Sequence, residues 1–253
     1  TIAASGPLTF CDGGSVSLTA TSAGFTGGTY TWSNGSTDNP LVVKTSGNYT
    51  VVYTSANTCT APVSAVVAVT VNPIPPQPTI AASGPLSFCD GGSVSLMATS
   101  AGFTDGIFTW SNGSTDNPLV VKTSGNYTVV YTSANTCTAP VSAVVAVTVN
   151  PIPPQPTIAA SGPLTFCDGG SVSLRATSAG FTGGTYTWSN GSTDNPLVVK
   201  TSGNYTVVYT SANTCTAPVS AVVAVTVNPI PPQPTIAASG PLTFCDGGSV
   251  SLR

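Results

Sequence analysis

Residues 48–54 read Asn-Tyr-Thr-Val-Val-Tyr-Thr. Tyr49, Val51 and Tyr53 fall on one side of an extended chain and Thr50, Val52 and Thr54 on the other, the period-two alternation of a half-buried strand. The surrounding segments carry the same signature. Val16 and Leu18 alternate with Ser17 and Thr19 in 15–20. Tyr30 and Trp32 share a face in 29–33, and Leu41 and Val43 alternate with Val42 and Lys44. Val63, Ala65, Val67, Val69 and Val71 share a face in 63–72. Turn-forming clusters stand between these runs, notably Asp12-Gly13-Gly14, Asn34-Gly35 and Asp38-Asn39-Pro40. No stretch has a helical period. The expectation is an all-β chain folded as a β-sandwich, with Leu18, Trp32, Tyr49, Val51 and Val67 in its core.

The same pattern recurs every 78 residues. Thr-Ile-Ala-Ala-Ser-Gly-Pro-Leu begins at Thr1, Thr79, Thr157 and Thr235, giving three full repeats and the first nineteen residues of a fourth. Repeats one and three differ only at Thr19/Arg175, and repeats one and two at five positions, among them Tyr30/Phe108. Trp110 and Trp188 are the core counterparts of Trp32. Each repeat closes on Asn-Pro-Ile-Pro-Pro-Gln-Pro, as in 72–78. Four prolines in seven residues cannot join a sheet ladder and favour an extended, stiff conformation. The expected organisation is therefore a row of domains, 1–72, 79–150 and 157–228, joined by proline-rich linkers at 73–78, 151–156 and 229–234, with 235–253 the start of a fourth domain.

Composition narrows the function. Lys and Arg number 5 and Asp and Glu 8, with no His, so the net charge is −3 in 253 residues. Five scattered cations cannot form the basic footprint of a nucleic-acid or anionic-lipid partner. A chain without His or Glu lacks the usual residues of acid–base and metal-hydrolase chemistry, so no catalytic, cofactor or metal site and no enzyme activity is expected. The run 61–71 is shorter than the ~20 residues of a spanning helix, so no membrane insertion is expected here. The stretch 1–10 has neither the basic nor the long apolar region of a signal peptide, and an export signal or anchor is expected outside this piece.

The succession Phe-Cys-Asp-Gly-Gly-Ser-Val-Ser-Leu (10–18), Tyr-Thr-Trp-Ser-Asn-Gly (30–35), Ser-Gly-Asn-Tyr-Thr-Val-Val-Tyr-Thr-Ser-Ala-Asn-Thr-Cys (46–59) and Ala-Val-Thr-Val-Asn-Pro-Ile-Pro (68–75) resembles the immunoglobulin-like repeat of large secreted Bacteroidota surface proteins. Such repeats accompany the gliding-motility-associated sorting domain of type IX secretion. The resemblance covers the whole unit and implies tandem immunoglobulin-like β-sandwiches on an extracellular cell-surface protein. By the same resemblance Trp32 fills the core from the third strand and Tyr49 stands where a tyrosine corner belongs. Val51 occupies the place of the second buried cysteine of antibody domains, so the usual inter-sheet disulfide is missing.

The cysteines lie at 11, 59, 89, 137, 167, 215 and 245. In an immunoglobulin-like topology the turn near Cys11 and the turn near Cys59 would share one end of the sandwich. The expected pairs are Cys11 with Cys59, Cys89 with Cys137 and Cys167 with Cys215, each closing a loop worth roughly 4 kcal/mol. The rival pairing joins repeats, Cys59 with Cys89, Cys137 with Cys167 and Cys215 with Cys245. Cys245 has no partner in the intra-repeat scheme. Either set implies an oxidising compartment.

Other residues have ordinary explanations. Tyr30 and Trp32 form a core pair rather than a sugar platform. Asp12 and Asp38 sit in turns and are too few for a calcium ion with 6–8 ligands. Lys44 points to solvent, without the Glu an isopeptide bond would need. Asn34-Gly35-Ser36 and Asn48-Tyr49-Thr50 match a glycosylation acceptor, but Asn34-Gly35 reads better as a hairpin turn. Outward Val42, Val52, Val66 and Ala68 leave apolar surface with little charge to oppose association. The function that follows is structural: an extracellular stalk or filament of a bacterial adhesin, its partners neighbouring repeats and further copies of itself. The alternative is a multivalent adhesive module for glycans or other cells.

Overall fold

A computed structural model describes residues 1–253. In the first repeat the strands are β1 (Ile2–Ala4), β2 (Thr9–Cys11), β3 (Val16–Ala20), β4 (Thr29–Trp32), β5 (Leu41–Val43), β6 (Gly47–Tyr49), β7 (Val51–Thr54) and β8 (Val67–Asn72), with no helix. The same eight recur in the second and third repeats. One layer has the order β1-β3-β5. The other consists of β2-β8-β6 and β4-β7, and Thr50 alone separates β6 from β7. β2 lies parallel to β8, with Cys11 opposite Asn72, while β6 runs antiparallel to β8.

The alternation dictates what the layers bury. Val16, Leu18, Leu41 and Val43 from one layer meet Trp32, Tyr49, Val51 and Val69 from the other in a single cluster, and each later repeat has its own equivalent. Leu18, Trp32, Tyr49, Val51, Trp110 and Trp188 are all buried. Val67 and Tyr30 are half-buried at the rim. Burying an indole or a phenol requires a partner for its polar end. Trp32 Nε1–H donates to the Asp38 carbonyl at 2.7 Å, and Tyr49 O–H donates to the Thr45 carbonyl at 3.0 Å. The latter bond, back to the main chain four residues upstream, is a tyrosine corner. Asn39 holds β3 in the same way: its amide accepts from Ala20 N–H and donates to Ala20 O. The layer order, the buried tryptophan and the tyrosine corner make each repeat an immunoglobulin-like β-sandwich.

Two differences from the sequence reading concern the edges. β1 and β2 are strands of three residues, too short to show alternation. The strand expected over 63–72 starts at Val67 instead. Val63 and Ala65 are exposed, because the chain from Ala61 to Ser64 follows β7: Ala61 N–H donates to Tyr53 O, and Ser64 N–H to Val51 O. The chain gathers into two compact units, Thr1–Val149 and Asn150–Arg253.

Candidate functional site at the junction of repeats

The first unit holds the first repeat and the second as far as Val149, and the chemistry-bearing residues collect where one passes into the next. β2 and β8 run parallel, so Cys11 and Asn72 lie together at the end where the chain leaves repeat one. β7 ends in the turn that carries Cys59, and this strand direction is antiparallel to β8, so Cys59 lies at the opposite end. The expected Cys11–Cys59 bond therefore spans the wrong ends of the sandwich. Cys11 is bonded instead to Cys137, the counterpart of Cys59 in the following repeat, with a Cα–Cα distance of 5.6 Å. The rival Cys59–Cys89 pairing is not formed either. Cys59, Cys167 and Cys245 are free and exposed, while Cys89 and Cys215 are in disulfide linkage.

The proline-rich segment 73–78 packs against the second repeat rather than standing free. Pro75 and Pro78 are fully buried. Gln77 Nε2–H donates to the Val141 carbonyl at 2.6 Å, and Ser100 Oγ–H donates to the Pro76 carbonyl at 3.4 Å. Cys137 Sγ lies 4.0 Å from the Asn72 carbonyl. The second unit repeats the arrangement on the third sandwich: Gln155 donates to Val219 O at 2.6 Å, Ser178 to Pro154 O at 3.4 Å, and Pro153 and Pro156 are buried. Proline suits this role because its fixed φ leaves little conformational entropy to lose on docking. Gln77, Ser100 and Val141 were not singled out from the sequence. The one available signal was a polar side chain recurring among the prolines of every repeat.

The remaining candidates serve their own turns. Asp12 Oδ1 accepts from Gly13 N–H at 2.9 Å, and Asp38 Oδ2 accepts from Ser36 Oγ–H at 3.1 Å. No group of three or more His, Cys, Asp or Glu side chains gathers anywhere. Asn34 Oδ1 accepts from Ser36 N–H, and Gly35 adopts φ +86° in a turn closed by its own N–H on Trp32 O. No helix is long and apolar enough to cross a membrane.

No family model matches the chain, and no curated protein matches it. Solved structures similar to it include a marsupial T cell receptor, 13% identical with a TM-score of 0.40 over 85% of this chain and 90% of that one. Sidekick-1 immunoglobulin domains 1–4 are 14% identical, with a TM-score of 0.34 over 88% and 73%. A mouse coronavirus receptor-binding domain complexed with its murine receptor is 17% identical, with a TM-score of 0.38 over 60% of this chain and 100% of that chain.

Proposed function

We propose that the chain is a mechanical element, a stretch of extracellular stalk or filament in which each 78-residue repeat is a domain fastened to the next. The observation that carries this reading is the Cys11–Cys137 bond. It joins neighbouring repeats rather than the two layers of one repeat, so tension crosses the junction through a covalent link. Docking of Gln77 and the buried prolines stiffens the same junction. Near-identical repeats suit a part whose requirement is length. The disulfides fit an oxidising, extracytoplasmic compartment, in line with the resemblance to secreted bacterial surface repeats. Exposed Val42, Val120 and Val198, 54–55% accessible at equivalent positions, offer a recurring apolar patch for lateral association into a fibre.

Single-molecule stretching of the full chain tests the mechanical reading. A bond across 126 residues withholds that length from extension, about 42–45 nm at roughly 3.3–3.6 Å per residue. The reduced chain should therefore extend further than the oxidised chain by at least this amount. Equal extension in both states would remove the mechanical role.

A further inference from the structure

The three repeats vary only at Thr9, Thr19, Gly27, Thr29 and Tyr30 and their counterparts. In the third repeat three of those counterparts, Arg175, Gly183 and Tyr186, line a single cleft of about 320 Å³, and a fourth, Thr185, sits between lining residues. The fifth, Thr165, belongs to the strand Thr165–Cys167. Variation therefore changes the chemistry of one cleft on a constant frame. Hydrogen bonds tie the walls of that cleft together. Asn195 accepts from Ala176 N–H and donates to Ala176 O, both at 2.8 Å. Gly184 N–H donates to the Tyr209 hydroxyl at 3.0 Å, and Ser178 N–H to the Tyr186 hydroxyl at 2.9 Å. A Cβ at Gly184 would lie 2.5 Å from Tyr209, so only glycine lets the loop close over that side chain. Phe181 meets Tyr209 edge-on, with ring centroids 6.4 Å apart. Tyr209 is 1% exposed and backs the cleft, whereas Phe181 and Tyr186 are half-buried and keep part of each ring open.

We propose that this cleft binds a carboxylate-bearing sugar, a uronic acid unit of an acidic polysaccharide. Arg175 is exposed and is the one charged residue among those that line the cleft. Its cross-strand neighbour is Ala159, whose side chain has no polar group to occupy the guanidinium. A guanidinium presents paired N–H donors that match the two oxygens of a carboxylate. A single cation balances the single negative charge of a uronate. The open parts of the Phe181 and Tyr186 rings carry partial negative charge on their faces, which the C–H groups of a sugar ring approach favourably. The Thr182 hydroxyl and the second amide proton of Asn195 stand beside them for ring hydroxyls. The other repeats lack this chemistry. Repeat two has Met97 and Asp105 in the places of Arg175 and Gly183, so a carboxylate would meet a like charge and no cation. Repeat one has the neutral Thr19 in the place of Arg175. The inference adds a ligand to the mechanical reading, and its test reads binding and not force, so either can fail alone.

The test is calorimetric titration of the full chain with a trimer of galacturonic acid. The expected result is one site per chain with a dissociation constant on the order of 100 µM. Arg175→Thr should weaken binding about tenfold or more, because a charge-assisted hydrogen bond is lost. That variant makes the third repeat identical to the first, so the fold survives it. Thr19→Arg gives the first repeat the sequence of the third and should raise the site count to two. The methyl-esterified trimer, which has no negative charge, should bind about tenfold more weakly than the acid. No binding at about 1 mM trimer, ten times the expected dissociation constant, would overturn the proposal. So would unchanged affinity in Arg175→Thr, no second site in Thr19→Arg, or equal binding of the ester or of inorganic phosphate.

Discussion

Gln77 Nε2 donates a 2.6 Å hydrogen bond to the main-chain carbonyl of Val141, 64 residues further along the chain. A residue of the proline-rich segment is thereby tied to the sandwich that follows it. The bond recurs at the same length between Gln155 and Val219. Replacing Gln77 by Ala leaves the Val141 carbonyl to water and should cost about 0.5–1.5 kcal/mol. The expected outcome is a small fall in thermal midpoint with the β-sheet circular dichroism unchanged. A fall of several kcal/mol would mean that Gln77 holds up a fold rather than a junction.

Trp32 fills the centre of the first sandwich and is 2% exposed. Trp32→Ala should cost about 3–5 kcal/mol through lost burial and a cavity. Because each repeat has its own buried cluster, calorimetry should show one repeat melting early while Trp110 and Trp188 keep their native fluorescence. Loss of the Trp110 and Trp188 signals in that same early transition would show that the repeats do not fold separately.

Tyr49→Phe removes the O–H that reaches the Thr45 carbonyl while keeping the buried ring. The expected loss is about 1 kcal/mol in urea unfolding, with an unchanged denaturant slope.

Self-association should be nearly insensitive to salt. The chain has 13 charged side chains, from 5 Lys and Arg plus 8 Asp and Glu. Screening acts on charge and leaves apolar burial untouched. Sedimentation of the full chain from low to high salt should give one association constant, and Val42→Lys should weaken it. A tenfold fall in association with salt would point to charged contacts instead.

The core was legible in the sequence because alternation along a strand is a local property. Tyr49, Val51 and Tyr53 point inward whatever the rest of the chain does, and Trp32 is inward by the same rule. The junction was not legible, because it depends on strand direction. A three-residue strand such as Thr9–Cys11 has no period to reveal it, and its parallel pairing with Val67–Asn72 is what carries Cys11 away from Cys59. Prolines announce that 73–78 cannot join a ladder, but not that Pro75 and Pro78 will be buried. The groups that hold the segment there by hydrogen bonds, Ser100 Oγ and the Val141 carbonyl, lie in the following repeat.

Non-reducing peptide mapping of the native chain tests the junction most directly. Digestion without reduction should yield the Cys11 peptide joined to the Cys137 peptide, and Cys59 as a free, alkylatable thiol. Recovery of Cys11 joined to Cys59 would place the covalent link inside one repeat and contradict the account of repeats fastened to one another.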